Sequence, residues 1–245
     1  TIPEIRSVGL FIQQTKINAS DVEVKDVNSL VTFVDKEAEK QLVHALLKIL
    51  PNSGFITEEG TIATESHPWM WIIDPLDGTT NYIHGVPCYS ISVALHYEND
   101  PIMGIVYELN KDEMYTAIKD KGARLNNRPI EVSSQSQLNN SLIATGFPYS
   151  KFDFMDWYVS IFKRLMMESR GIRRFGSAAV DLCYVAAGRF DGFFEKGLNV
   201  WDVAAGAIVL REAGGMISDF SGKNNFLYGG EILAANKDVH SEMLN

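Results

Sequence analysis

Cysteine is scarce: Cys88 and Cys183 are the only two in 245 residues. Their spacing makes no metal-binding or redox pair and no disulfide framework. Both stand in apolar segments, so two buried free thiols are expected. The five histidines (His44, His67, His84, His96, His240) are too few and too scattered for a His-rich zinc site. Long apolar runs are missing, because charges such as Asp35 and Lys36 interrupt each one, and no membrane span is expected. The first fourteen residues carry Glu4 and Arg6 among apolar residues and lack the charged-then-apolar order of a signal peptide. The chain opens on Thr1 rather than Met, which suggests a trimmed start, and a cytoplasmic location is expected. Positive charge is short as well, 22 Lys and Arg against 31 Asp and Glu, for a formal net charge of −9. Such a surface repels nucleic acid and anionic lipid, so neither is expected as a partner. It would also repel a phosphorylated substrate, unless a cation at the site reverses the field locally.

What is present is the mix of an ordinary globular chain, long enough for one large domain or two intimate halves. Ile5, Val8, Phe11 and Ile12 fall at helical spacing and predict a first amphipathic helix over residues 3–16. Residues 21–28 read as a polar turn. Thr32 is placed to cap a second helix, with Asp35 in its first turn and Val34, Ala38, Leu42, Ala45, Leu46 and Ile49 as its buried stripe. Pro51-Asn52-Ser53-Gly54 stops it. Strands are expected at 55–57, running into Glu58-Glu59-Gly60, and at 69–73, ending at Asp74. Others are expected at 90–96, 102–107 and 113–118, with turns at Asn110-Lys111-Asp112 and Asn126-Asn127. In the second half, strands at 142–145, 192–194, 216–218 and 232–235 alternate with helices over 157–167, 177–187, 201–213 and from 237. There is no internal repeat, low-complexity segment or long linker. The expected class is α/β, built of layered helix and sheet.

The chemistry concentrates in Trp71-Ile72-Ile73-Asp74-Pro75-Leu76-Asp77-Gly78-Thr79-Thr80-Asn81. An apolar strand runs into two carboxylates three residues apart, then a glycine and two hydroxyls. Buried carboxylates are costly unless they are paired or hold a metal. Gly78 permits close approach of a phosphate to the main chain, and hard carboxylate oxygens suit magnesium. Asp-x-x-Asp-Gly is equally an ordinary turn pattern. Two further acidic sites weigh against that: Glu58-Glu59 at the end of another apolar strand, and Asp202 at the start of an apolar helix. Singly, the first reads as a solvated loop and the second as an acid favoured by the helix dipole. Together with Asp74 and Asp77 they suggest a four-carboxylate cluster.

At these residues the chain resembles the inositol monophosphatase family. One family signature is matched by residues 71–81, and a second by Trp201-Asp202-Val203-Ala204-Ala205-Gly206 continuing to Glu212-Ala213-Gly214-Gly215. Glu58-Glu59-Gly60 precedes the first at the family's spacing, and Leu30-Val31-Thr32-Phe33-Val34-Asp35 is similar to its earlier Leu-Val-Thr-x-x-Asp segment. The resemblance implies an αβαβα sandwich of the inositol monophosphatase and fructose-1,6-bisphosphatase type, often a homodimer. It implies one phosphatase domain over 1–245, with the metal motifs in a first half of about 1–140, and the substrate side and last metal ligand in a second of about 141–245.

It further implies two or three magnesium ions. The first would take Glu58, Asp74 and the Leu76 carbonyl, the second Asp74, Asp77 and Asp202, and a weaker third would lie near Glu58. The nucleophile would be water activated by metal and oriented by Glu58 and Thr79. Gly78 and Thr79 amides would hold the phosphate. Lys25 and Asp35 match supporting positions near the mobile loop and the third metal. On the substrate side the family's residues fall on Gly176, Ser177, Ala178 and Glu195. Glu195 also reads as a solvated strand-end charge, and Ser177 as a helix N-cap.

Ser29, Thr57 and Ser177 depart from common family residues without removing a metal ligand, and Gly146-Phe147-Pro148-Tyr149 is closest to bacterial relatives. The implied activity is lithium-sensitive hydrolysis of a small polyol or sugar phosphate, inositol-1-phosphate foremost. The alternatives are a sibling phosphatase acting on fructose-1,6-bisphosphate, histidinol phosphate or a 3′-phosphonucleotide, and a non-catalytic protein-binding role in a transcription complex.

Overall fold

The computed structural model describes residues 1–17, 22–26, 29–63, 65–148 and 152–245. The chain opens with helix α1 (Ile2–Gln14), which buries Ile5, Val8 and Ile12 as its spacing predicts. A two-stranded ribbon follows, β1 (Val22–Asp26) antiparallel to β2 (Ser29–Thr32). The polar turn expected over 21–28 is therefore corrected. Val22 and Val24 alternate with Glu23 and Lys25 at strand period, a weak pattern masked by the turn-forming Asp21 and Asn28 on either side. Asp21, Asn28 and Tyr149 lie outside the described residues, and so does the side chain of Lys25.

Helix α2 (Phe33–Ile49) starts as expected. Thr32 Oγ1 accepts from the Val34 amide, while Asp35 Oδ2 accepts from the Thr32 amide at 2.8 Å and from its hydroxyl at 2.6 Å. Its buried face takes Val34, Ala38, Leu42 and Leu46, but Ile49, the last residue of the helix, is 44% exposed.

Seven strands then form one sheet: β3 (Gly54–Thr57), β4 (Trp69–Asp77), β5 (Ser90–Tyr97), β6 (Asp100–Glu108), β7 (Glu113–Ile118), β8 (Ala123–Leu125) and β9 (Arg128–Ile130). They lie in sequence order, β3 parallel to β4 and each later pair antiparallel. Short helix α3 (Thr79–His84) leaves the end of β4. Asn126 and Asn127, both at positive φ, make the two-residue turn into β9.

The second half supplies β10 (Leu142–Thr145), α4 (Met155–Glu168), β11 (Gly171–Arg173), α5 (Ala178–Ala186), β12 (Gly192–Lys196), α6 (Val200–Glu212), β13 (Met216–Ser218), β14 (Glu231–Ala235) and α7 (Lys237–Leu244). Its sheet has the order β11-β10-β12-β14-β13. β11 is an addition to the expected elements; its Gly-Ile-Arg is too short to show a period.

Side-chain alternation sorts these elements into layers. Trp71, Ile73, Ile91 and Val93 face α1 and α2. Ile72, Ala94, Val106 and Tyr115 face the other way, onto α5 and α6. Those helices are apolar nearly all round, as a middle layer requires. Ala144, Phe193, Ile232 and Ala234 of the second sheet pack on them from behind. Ile143, Phe194, Leu233 and Ala235 face outward to α4 and α7. The order helix, sheet, helix, sheet, helix is the αβαβα sandwich expected. Both cysteines are buried and free. No helix is long and apolar enough to cross a membrane, among the described residues.

Candidate active site

Three features bring the predicted acids to one edge of the large sheet. Glu58 directly follows β3, and its amide donates to Ile73 O at 3.3 Å, which sets it beside Asp74 on the neighbouring parallel strand. β4 continues past Asp74 to Asp77, further than the expected end of the strand. Its pairing shifts there: Asp74 opposes Ser92, but Asp77 opposes Ser90, so β4 holds one extra residue. In a regular strand residues three apart face opposite ways; the bulge returns Asp77 to the side of Asp74. Pro75 sits within it, where no ladder hydrogen bond is asked of its nitrogen. Asp202 comes from the first turn of α6, where its Oδ2 accepts from the Asn199 amide at 2.6 Å.

Asp77 joins the two halves. Its Oδ2 accepts from the Ser177 hydroxyl at 2.7 Å and from the Ala179 amide at 2.8 Å, at the start of α5. Ser177 also caps that helix, its Oγ accepting from the Val180 amide, as its N-cap reading expected. Gly78 has φ +97, and a Cβ there would lie 3.0 Å from Cys88 O; the tight exit from β4 needs glycine. Thr79 Oγ1 lies 2.9 Å from Asp35 Oδ1 and 3.0 Å from Leu76 O. Leu76 is itself oriented by its amide, which donates to Asp74 Oδ1 at 2.9 Å.

The electrostatics are those of acids crowded together. Burial pushes Asp74 well above the usual carboxylate range, and the charges of Glu58, Asp77 and Asp202 push it further. Burial likewise raises Asp202, with Asp77 and Glu58 adding to it and Asn199 opposing. Asp77 is pushed up to about 6 by burial, against the hydrogen bonds from Ser177, Ala179 and Ala178 and the charge of Arg174. Asp74 is fully buried, whereas Asp77, Asp202 and Glu58 are half-buried. Among the described residues, no three acidic, histidine or cysteine side chains already close round a common point. The four acids are within electrostatic reach of one another, not in a preformed cage. Their donor chemistry nevertheless fits a hard divalent cation, which would offset the mutual repulsion of several ionised carboxylates.

Gly176, Ser177 and Ala178 lead into α5, and Glu195 lies on β12 within electrostatic reach of Asp77 and Asp202. Gly176 is at φ +86, with Asn81 and Arg174 against it. Glu195 is a buried residue of β12, raised well above the usual range by burial and by Asp202 and Asp77, with Arg174 opposing. It is therefore not the solvated charge that its strand-end position allowed. Asp35 is buried, and burial raises it against the hydrogen bonds from Thr32 and Thr79. Lys25 stands on β1, and its side chain is outside the described residues.

Sequence reasoning missed three supports. Glu39, fully buried on α2, accepts from the Glu59 and Thr61 amides and the Thr61 hydroxyl, each at 2.7 Å, and so fixes the loop that carries Glu58. A single acid beside the apolar stripe was its only signal. Asn81 donates to Cys88 O and Phe175 O, each at 2.7 Å, tying α3 to the strand end before Gly176. Asp181 is buried on α5, one turn beyond Ser177; its Oδ1 has no hydrogen-bond partner among the described residues.

Comparison with known proteins agrees with this geometry. The sequence model of the inositol monophosphatase family matches residues 3–245. The protein named Nus factor SuhB in Pseudomonas aeruginosa is 42% identical over 246 residues, covering 98% of this chain and 91% of that protein. The extragenic suppressor protein suhB of Bartonella henselae superposes with a TM-score of 0.92 at 36% identity, over 99% of this chain and 94% of that one. An inositol monophosphatase from Anabaena superposes with a TM-score of 0.88 at 34% identity, over 99% of this chain and 91% of that one. With the fold, the acid-bearing strand ends and the whole-length match in agreement, the chain belongs to the inositol monophosphatase family.

Proposed function

We propose that this chain hydrolyses the phosphate monoester of a small polyol or sugar, with inositol-1-phosphate the foremost candidate. The observation that carries the reading is the electrostatic coupling of Asp74 to Glu58, Asp77 and Asp202, with Asp77 held by the first turn of α5. Members of the family are generally magnesium-dependent. In this reading Glu58, Asp74, the Leu76 carbonyl, Asp77 and Asp202 hold two or three magnesium ions. When bound, magnesium supplies positive charge against the phosphate and lowers the pKa of water.

The chain's own residues do the rest. Glu58 and the Thr79 hydroxyl orient the attacking water. The Gly78 and Thr79 amides take phosphate oxygens at a turn only glycine allows. Asp35 fixes the Thr79 hydroxyl, and the family reading gives Lys25 a supporting role as well. Gly176, Ser177, Ala178 and Glu195 form the alcohol side. Glu195 can hydrogen-bond a substrate hydroxyl as acid or as carboxylate, because a hydroxyl both donates and accepts. The whole chain acts as one phosphatase domain, with lithium inhibition and a homodimer expected from the same family reading.

The test is inorganic phosphate release from inositol-1-phosphate, fructose-1,6-bisphosphate, histidinol phosphate and 3′-phosphoadenosine 5′-phosphate, with and without magnesium. Magnesium-dependent release with one clear preference supports the reading and selects its branch. No release from any of them by folded protein contradicts it.

A second reading has its own support, because a relative covering nearly the whole chain bears the name Nus factor SuhB. In it the chain serves as a protein-binding component of a transcription complex, independent of hydrolysis. The expectation against nucleic acid as a partner rested on net charge alone, and this relative removes its footing. A pull-down with the Asp77→Asn protein separates the roles: partner binding that survives the loss of hydrolysis belongs to the second reading.

A further inference from the structure

Gly146 follows β10 directly, and its backbone is not among the positive-φ glycines. Conformation therefore does not demand a glycine there; space does. A Cβ at this position would lie 2.0 Å from Glu195 Oε1, 2.1 Å from its Cδ and 2.1 Å from its Oε2, and these are the three nearest heavy atoms. The pairing of β10 with β12 explains the meeting: Thr145 opposes Phe194, and Gly146 and Glu195 stand one step further along.

The backbone at Gly146 is pinned. Its carbonyl accepts from the Tyr158 hydroxyl at 2.8 Å and lies 3.3 Å from the Thr145 hydroxyl. Tyr158 and Thr145 are both fully buried, and the Thr145 hydroxyl is also 2.8 Å from Phe194 O, which binds the two strands together. Any added side chain would meet a backbone that cannot retreat, so the Glu195 carboxyl is the part that moves. Real Cβ atoms essentially never stand under 3.0 Å from another heavy atom, so the nearest oxygen at 2.0 Å would have to shift by about 1 Å or more.

We propose that Gly146 is a specificity-determining position: its missing side chain is the seat of the Glu195 carboxyl. The seat holds that carboxyl where a hydroxyl-bearing phosphate ester presents its alcohol groups. The inference rests on the polyol-phosphatase reading above. Gly146 touches no reacting atom; it positions Glu195, and through it sets the preference for hydroxyl-rich esters over plain ones.

The experiment compares wild type, Gly146→Ala, Glu195→Ala and the double variant, each with magnesium, on inositol-1-phosphate and on p-nitrophenyl phosphate. A crystal structure of the Gly146→Ala protein gives a readout independent of activity. Gly146→Ala is expected to lower the ratio of kcat/KM for the polyol ester over the aryl ester by about tenfold, the loss of one hydrogen bond. The change should lie mainly in KM. In the Glu195→Ala background Gly146→Ala should lower the ratio no further, because the group it displaces is gone. The Glu195 carboxyl should stand displaced by about 1 Å or more.

An unchanged ratio, a full additional loss in the Glu195→Ala background, or an unmoved carboxyl would each overturn the proposal. Should Gly146→Ala fail to fold, Glu195→Asp decides. A carboxyl one methylene shorter leaves the seat, so the ratio should fall in the same direction, and an unchanged ratio refutes the seat. If wild type releases phosphate from no ester, the phosphatase reading fails instead, while the displacement in the crystal still reports whether Gly146 seats Glu195.

Discussion

Asp77 and Asp202 each accept from an amide at the first turn of a helix, whereas Asp181 keeps one oxygen without a hydrogen-bond partner among the described residues and Glu195 places its carboxyl over Gly146. Asp77 takes the Ser177 hydroxyl and the Ala179 amide, and Asp202 takes the Asn199 amide. Asp181 Oδ1 has no such partner among the described residues, and the Glu195 carboxyl fills the space over Gly146. Amides with positive partial charge favour ionised carboxylates, the form a cation needs. Burial and the charges of neighbouring acids raise Asp181 and Glu195 well above the usual carboxylate range, against the charge of Arg174, and such a carboxyl suits recognition of a neutral hydroxyl in the proposed function. In the proposed function these two settings divide the labour between cation and alcohol.

The sharpest way to break this contrast is Asp77→Asn. It removes a negative oxygen that the proposed magnesium site relies on, while leaving an amide oxygen for Ser177 and Ala179. Magnesium-dependent phosphate release should fall by about a hundredfold or more, with the circular dichroism spectrum unchanged. Full activity would remove Asp77 from the site. Glu195→Ala should act on the other half of the contrast. It should shift preference among polyol esters by about tenfold while leaving the magnesium concentration for half-maximal rate unchanged; a shift in magnesium dependence instead would place Glu195 with the cation group.

Glu39→Gln should have an effect of similar size on the cation side. It weakens the acceptor for the Glu59 and Thr61 amides and so loosens Glu58. Magnesium affinity, measured by calorimetry, should fall by about tenfold. Unaltered affinity would mean that the loop holds Glu58 without Glu39.

The smallest expected effect is on stability. Asp181 is raised well above the usual range, chiefly by burial and then by Glu195 and Asp77, with Arg174 opposing. A raised folded-state pKa means that the folded chain holds a proton the unfolded chain has released. Its stabilising contribution is therefore fully present below the ordinary carboxylate range and is lost as pH rises through the folded-state value. Asp181→Asn cannot titrate, so urea midpoints should show the wild type losing ground to the variant as pH rises above the ordinary carboxylate range. A difference independent of pH would show that Asp181 does not change charge as pH rises.

Much of this was legible in the sequence, for identifiable reasons. Asp74 and Asp77 follow an apolar strand too buried to end in idle charges, and Thr32 with Asp35 announces the start of α2. The β4 bulge that makes Asp74 and Asp77 face the same way was not legible, because one extra residue changes pairing without changing composition. Glu39 and Asp181 sit inside helical segments, where an acid reads as surface until the opposite layer is known. β1 was mistaken for a turn because five residues between turn formers carry little periodicity. Gly146 gave no sign, since its role depends on a side chain one strand away.

The most direct measurement is phosphate release from inositol-1-phosphate by the wild-type chain as magnesium is titrated from zero to saturation, beside the Asp74→Asn protein. The account predicts a saturable, magnesium-dependent rate in the wild type and its near loss in the variant. A wild-type rate that ignores magnesium, or an Asp74→Asn protein that matches it, would contradict the central claim that these buried acids are a metal-assisted phosphatase site.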